Sequence, residues 1–378
     1  MKKVILQKTL FCLLLLSFTL GFSQSIPLSK YAKISVITCG LGNETYSYFG
    51  HTAIRVADPI NNLDVAYNYG AFDFSTPNFV AKFAKGDLQY FVVVHSFADF
   101  INDYTSEKRS VFEQELLLSQ DLKQKLFDKL NAVLLSEERY YTYKFIDKNC
   151  TSMVVDVINS TLNGNVIVKT ADTDKTYRSI LFPYFKGHFY DQLGTSIIFG
   201  TKVDQMGTRI FLPFELKKSL EETTFQGHLL AGESKTLLSF EKETPTSFWN
   251  NIYTYLFILG FVVLAHNKIV DKIYLLILSL MGFFFVGVGF YSFHQELAMN
   301  YNVLLFSPLL LILIILSLIK NKKWTYRFAV LHVLFLIVYS LFMINKAHFL
   351  IVLPMIITSG FVLVRVIIRN KKPIPIIM

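Results

Sequence analysis

The sequence predicts an α+β domain outside the cytoplasm, followed by an all-α membrane domain of five helices. Three observations carry this. The chain opens on "MKKVILQKTLFCLLLLSFTLGFSQS", strand-like and helix-like patterns share the stretch from 24 to 247, and five apolar segments crowd the remainder.

The opening has two lysines, an apolar run and then small and polar residues, which is the pattern of a secretory signal peptide covering residues 1–23. A retained anchor is the alternative. Cys12 lies inside the apolar run and leaves with the peptide if cleavage falls near Ser23 and Gln24.

The segment "AKISVITCGLGNETYSYFGHTAIRVAD" reads as strand, Gly-rich loop, strand. "PINNLD" is a turn cluster, and "VAYNYGAF" returns as the second arm of a hairpin. His51 opens the outgoing strand. With the turn centred on Asn61 and Asn62, Phe72 lies opposite His51, and Gly70 and Asn68 share its face, because side chains alternate with period two. A slip of one residue brings Asp73, Tyr69 and Tyr67 round instead. Asn68 is therefore the first choice to orient His51, with Asp73 in reserve.

In "YTYKFIDKNCTSMVVDVIN", aromatic and polar residues alternate up to Cys150, after which Met153, Val154, Val157 and Ile158 recur at helical spacing. This puts a thiol at the first turn of a buried helix. A thiol is nucleophilic as thiolate, and a helix N-terminus with a nearby imidazolium lowers its pKa. A polar third residue would hold the imidazole tautomer, and the Cys150 N–H would bind an oxyanion. Cysteine count alone offers a blander reading, a structural disulfide between Cys39 and Cys150 in an oxidising compartment.

The polar stretch 231–247 joins the first domain, of about 220 residues and large enough for its own core, to the apolar segments. These run over 252–265, 273–293, 303–319, 328–344 and 349–368. Most approach the roughly 20 residues a bilayer crossing needs, and the first does so only with Phe248 and Trp249 counted. Net charge is +9, yet residues 24–247 hold 23 Lys+Arg against 26 Asp+Glu. The basic excess sits in the leader and in alternate membrane loops: Lys268 and Lys272; Lys320, Lys322, Lys323 and Arg327; Arg365, Arg369, Lys371 and Lys372. This bias places the soluble domain outside the cytoplasmic membrane and the C-terminus inside, and it leaves no case for nucleic acid. The outward loop "SFHQELAMNYN" carries His294 and Glu296 at the membrane edge, candidates for function because ionisable residues there are costly. Trp249, Tyr253, Tyr255 and Tyr301 read as belt aromatics. No metal-binding spacing occurs among the eight histidines, and "GLGNETYSYFG" opens onto a strand rather than a helix. Neither a metal nor a cofactor is expected.

The motifs "YSYFGHTAIRV", "YNYGAFDF", "PNFVAKFAKGDLQYFV", "RSVFEQELLLS", "YYTYKFIDKNC" and "YDQLGTSIIFGTKVDQ" occur in this order. Together they resemble the bacterial lipoprotein N-acyltransferase family called Lnb. The resemblance extends to "HQELAMNYNVLLFSPL". That family is similar in turn to permuted papain-like thiol enzymes of the lecithin:retinol acyltransferase type. The resemblance thus implies a permuted papain-like α+β fold, His51 as base and Cys150 as acyl-carrying nucleophile. It also implies a lipoprotein acceptor and an acyl donor that is a phospholipid or a diacylglyceryl group. The sequence departs from the family just after the cysteine, where a small residue, Thr and Arg are usual; here Thr151, Ser152 and Met153 follow. Asp156 matches. With Cys150 as nucleophile, Cys39 becomes a buried spectator. Two rival readings stand beside acyl transfer: a cysteine peptidase or amidase acting on cell-wall peptide, and a non-enzymatic assembly protein with the Cys39–Cys150 disulfide.

Overall fold

The computed structural model describes residues 26–241 and 244–371. The signal-peptide reading of 1–23, with Cys12, lies outside the described residues, as does Lys372.

A mixed α/β domain built on one main sheet comes first. Its strands are β1 (Lys33–Cys39), β2 (His51–Asp58), β3 (Leu63–Ala71), β4 (Gln89–Ser96), β5 (Val111–Glu115) and β6 (Tyr140–Thr142). A two-stranded ribbon follows, β7 (Thr224–Phe225) and β8 (His228–Leu229), and then β9 (Lys235–Leu238). The main sheet runs β6-β4-β3-β2-β1-β5-β9, antiparallel between every pair of neighbours. The helices of this part are α1 (Phe79–Lys85), α2 (Phe97–Ser106), α3 (Gln120–Leu135), α4 (Cys150–Thr161), α5 (Tyr177–Leu181), α6 (Phe189–Ile198) and α7 (Pro213–Glu222).

Period-two alternation sorts the strand residues onto two faces. Ile34, Val36, Ile54, Val56, Tyr67 and Tyr69 pack against Leu126, Phe127 and Leu130 of α3 and Val154 and Ile158 of α4. Ile37, Cys39, Ala53 and Ala66 face the other way, onto Phe97 and Phe100 of α2. Each large apolar side chain so buried contributes about 1.5–3 kcal/mol. The packing of the first face holds α4 against one side of the hairpin.

The hairpin turn is wider than the sequence suggests. Asp58 pairs with Leu63 and Ala53 with Asn68, so four residues form the turn and the register continues from His51 to Gly70 rather than Phe72. The shift is two residues, and two residues preserve the face.

A helical region follows: α8 (Ile252–Leu264), α9 (Lys268–Tyr291), α10 (Leu310–Leu318), α11 (Lys322–Met343) and α12 (Phe349–Asn370). Among the described residues, α9, α11 and α12 are long and apolar enough to cross a membrane by length and composition. The other two expected spans are shorter. α8 has 13 residues, and the 303–319 segment contributes a helix of only 9. At 1.5 Å per residue the latter is about 14 Å long, roughly half a bilayer core. Pro308 explains the break: its ring cannot continue a helix arriving from the N-terminal side, and only a short 3-10 turn, Tyr301–Leu304, precedes it.

The two regions interlock across residue 247. Leu193 and Ile197 of α6 belong to the core of the helical region. The terminal carbonyls of α6, orphaned by helix geometry, accept hydrogen bonds from it: Asn300 Nδ2 donates to Ile197 and Ile198 (both 2.9 Å) and Asn302 Nδ2 to Ile197 (2.9 Å). Arg178 donates to the Ser196 carbonyl (3.1 Å) and pairs with Asp204 (2.7 Å). Tyr301, read from sequence as a belt aromatic, instead donates its hydroxyl to Asp204 (2.5 Å). Gly200 is required by close approach, since a Cβ there would lie 1.9 Å from the Ala298 carbonyl oxygen.

Candidate active site

Cys150 is the first residue of α4, and the sequence around it builds that start. Asn149 is the N-cap: its Oδ1 accepts from the N–H groups of Thr151 and Ser152, both at 2.9 Å. The Ser152 hydroxyl accepts in return from the Asn149 N–H at 2.9 Å, completing a capping box. Asn149 Nδ2 donates to the carbonyls of Phe145 (2.7 Å) and Phe211 (2.8 Å), which anchors the helix start to two loops. Thr151 then ties it to the sheet, its hydroxyl lying 2.9 Å from that of Thr52 in a buried contact. Thr52 follows His51 as Thr151 follows Cys150, so this one contact sets the spacing of the two candidate residues. Thr151 and Ser152, the departure from the family pattern, thus hold the helix in place.

His51 opens β2, with Cys39 opposite it on β1. Its Nε2 lies 3.1 Å from Asn68 Oδ1. The Asn68 Nδ2 donates to the Ala66 carbonyl at 3.2 Å, which fixes the amide with its oxygen toward the ring. An amide oxygen accepts, so Nε2 carries the hydrogen and Nδ1 keeps a lone pair. Burial pushes the Cys150 thiol up; the charge and hydrogen bond of His51, the Thr52 N–H and the Thr151 hydroxyl more than offset it, and the thiol ends below its ordinary range.

Gly70 occupies the floor of this corner, with φ +95°. A Cβ there would lie 3.7 Å from the Cys150 Cβ and 3.8 Å from the Tyr141 hydroxyl. Tyr141 is buried, and burial raises its pKa, so the phenol stays protonated as a donor. Sequence reading passed over Tyr141, one of several aromatics in an alternating run.

The other candidates are elsewhere. Asp73 is exposed in the turn after β3, accepting from the Ser75 N–H (2.8 Å) and hydroxyl (2.7 Å). Those bonds hold it below the usual carboxylate range. His294 Nε2 donates to the Phe83 carbonyl of α1 at 2.9 Å. Glu296 is buried in the short turn Gln295–Leu297. Asp156, on α4, pairs with Arg209 at 2.8 Å.

Cys39 and Cys150 are both free thiols. The disulfide pictured in the assembly-protein reading is therefore not formed. Cys39 is fully enclosed beneath α2, and burial pushes its thiol up to about 12.

No curated protein and no solved structure matches the chain. Residues 24–181 match the family model described as the Lnb N-terminal periplasmic domain, a span holding Cys150, His51 and Asn68 but neither His294 nor Glu296. With the three long apolar helices, the match supports an inner-membrane protein with a periplasmic domain. What the match shows is that residues 24–181 are similar to the Lnb N-terminal periplasmic domain.

Proposed function

We propose that the protein is a lipoprotein N-acyltransferase working at the periplasmic face of the inner membrane, with Cys150 as nucleophile, His51 as base and Asn68 as the residue orienting His51. The observation that carries the reading is the corner itself: a thiol at the N-terminus of a capped helix, a histidine whose charge lowers it, and an amide that fixes the tautomer.

In the first step His51 Nδ1 takes the thiol proton and Cys150 Sγ attacks the carbonyl carbon of an acyl ester. The donor is a phospholipid or the lipoprotein's own diacylglyceryl group. The ester C–O bond breaks, the alkoxide takes the proton back from His51, and a thioester remains. The Cys150 N–H and the Tyr141 hydroxyl are the donors available for the oxyanion. In the second step the α-amine of the lipoprotein's lipid-bearing N-terminal cysteine attacks the thioester. The amide forms, the C–S bond breaks and the thiol returns. Splitting one transfer into two suits a thioester, which is reactive toward an amine.

The same reading assigns 24–247 to a periplasmic, permuted papain-like domain and 248–378 to a membrane domain. In that membrane domain α8 and α10 complete five segments and the C-terminus is cytoplasmic.

The test is acyl capture. Purified full-length protein is mixed with phospholipid vesicles and quenched in acid, and the Cys150 peptide is examined by mass spectrometry. A hydroxylamine-labile acyl adduct on Cys150, absent in Cys150→Ser, is the expected result. No adduct under conditions where the enzyme N-acylates a lipopeptide would refute the thioester route. Release of peptide from added cell-wall peptide, with no acyl transfer, would favour the peptidase reading.

A further inference from the structure

Glu296 is 2% exposed, and neither carboxylate oxygen has a hydrogen-bond partner among the described residues. A buried polar group left without a hydrogen-bond partner is costly and calls for an explanation.

The surrounding contacts fix where it sits. The Glu296 carbonyl accepts from the Gly200 N–H at 2.7 Å, and the neighbouring Gln295 accepts from Lys202 at 2.8 Å. The Phe293 N–H donates to the Lys85 carbonyl of α1 (2.7 Å), and the Phe293 carbonyl accepts from Lys144 (2.9 Å). The loop is thereby clamped to the stretch that leads into Cys150. The lysines there are engaged elsewhere: Lys202 with Asp147 and Gln295, Lys144 with the carbonyls of Gly86 and Phe293. Tyr143, in the same stretch, lies within electrostatic reach of both Cys150 and Glu296. Its ring stacks on Tyr90 at 4.5 Å.

We infer that Glu296 is the receiving site for the cationic α-amine of the acceptor, and that it takes the proton which must leave before that amine can attack. This rests on the acyl-transfer reading above. The ammonium enters as the missing partner of the carboxylate and gives it one proton, and the neutral amine attacks the Cys150 thioester. As the C–S bond breaks, a second proton passes from nitrogen through His51 to the sulfur. The products are the amide, the free thiol and a protonated Glu296 that later releases its proton to water.

The test uses full-length protein, phospholipid vesicles as donor and a synthetic S-diacylglyceryl-cysteine peptide with a free α-amine as acceptor. Glu296→Gln removes the charge at constant shape. The expected result is normal acylation of Cys150, transfer to the peptide slowed at least about 100-fold, and a raised KM for the peptide. Glu296→Asp, which keeps the carboxylate, is expected to recover part of the transfer. Hydroxylamine, a nucleophile already neutral at pH 7, is expected to discharge the acyl group equally from wild type and Glu296→Gln. Transfer by Glu296→Gln at the wild-type rate would overturn the inference and leave the acyl-transfer reading standing. So would a loss of Cys150 acylation in that variant, which marks a role before the amine step. A wild-type enzyme never acylated on Cys150 would remove both.

Discussion

Removing His51 should change the reactivity of Cys150 in a direction set by the balance at the thiol. Burial raises its pKa, while the charge and hydrogen bond of His51 lead the groups that lower it, and the net lies below the ordinary range. In His51→Ala the two leading offsets vanish, and burial is opposed only by the Thr52 N–H and the Thr151 hydroxyl. An ordinary thiol near 8.5 is about 3% thiolate at pH 7, and each unit upward costs tenfold. Wild type should therefore hold more thiolate than the variant, and alkylation at pH 7 should slow in His51→Ala by at least about tenfold. The assay is the iodoacetamide rate against pH, with the adduct located by peptide mass spectrometry. Cys39 does not interfere, being fully enclosed with its thiol pushed up to about 12. The alkylation midpoint should sit below the ordinary thiol range in wild type and move upward in the variant. An unchanged or lower midpoint in His51→Ala would refute the coupling of the two residues.

Other perturbations follow from the same geometry. Asn68→Ala should leave the fold intact yet reduce acyl transfer at least about tenfold, because the ring loses the acceptor that fixes its tautomer; equal rates would remove Asn68 from the site. Asn149→Ala should cost about 1–2 kcal/mol in denaturant unfolding, through loss of the cap on the Thr151 and Ser152 N–H groups. Asp204→Asn should cost about 3–5 kcal/mol, since Arg178 is left buried without its counter-charge. Burial raises the Asp204 pKa, but Arg178, Tyr301 and Lys346 bring the net below the usual range. The stability it contributes is present above the unfolded-state value, near 3.9, and is lost as pH falls through the lower folded value. Docking of the sheet domain on the helical region, followed by limited proteolysis, should therefore weaken in acid below about pH 4, and Asp204→Asn should abolish that dependence.

Period-two alternation made Asn68 legible even though the turn was drawn too tight. The register moved by two residues, from Phe72 to Gly70 opposite His51, and an even shift keeps the face. A one-residue error would have promoted Asp73, which the structure places in an exposed turn with Ser75. The helix start at Cys150 was readable because the apolar spacing begins there. The part Thr151 plays was not, since its partner Thr52 is 99 residues away. Pro308 was present in the sequence, but the Leu and Ile around it gave an apolar run that masked the break. Glu296 drew notice as an ionisable residue at a membrane edge, while its burial without a partner is a tertiary fact. The Arg178–Asp204–Tyr301 contacts left no local signal, because they join three segments far apart in the chain.

In the proposed reaction Cys150 delivers an acyl chain to a lipoprotein amine. The most direct measurement is mass spectrometry of one abundant lipoprotein's N-terminal peptide, in a host deleted for this protein and restored with wild type or Cys150→Ser. An amide-linked acyl chain is expected with wild type and a free α-amine with the serine form. N-acylation that survives the deletion, in a host without a second enzyme for the step, would contradict the proposed reaction.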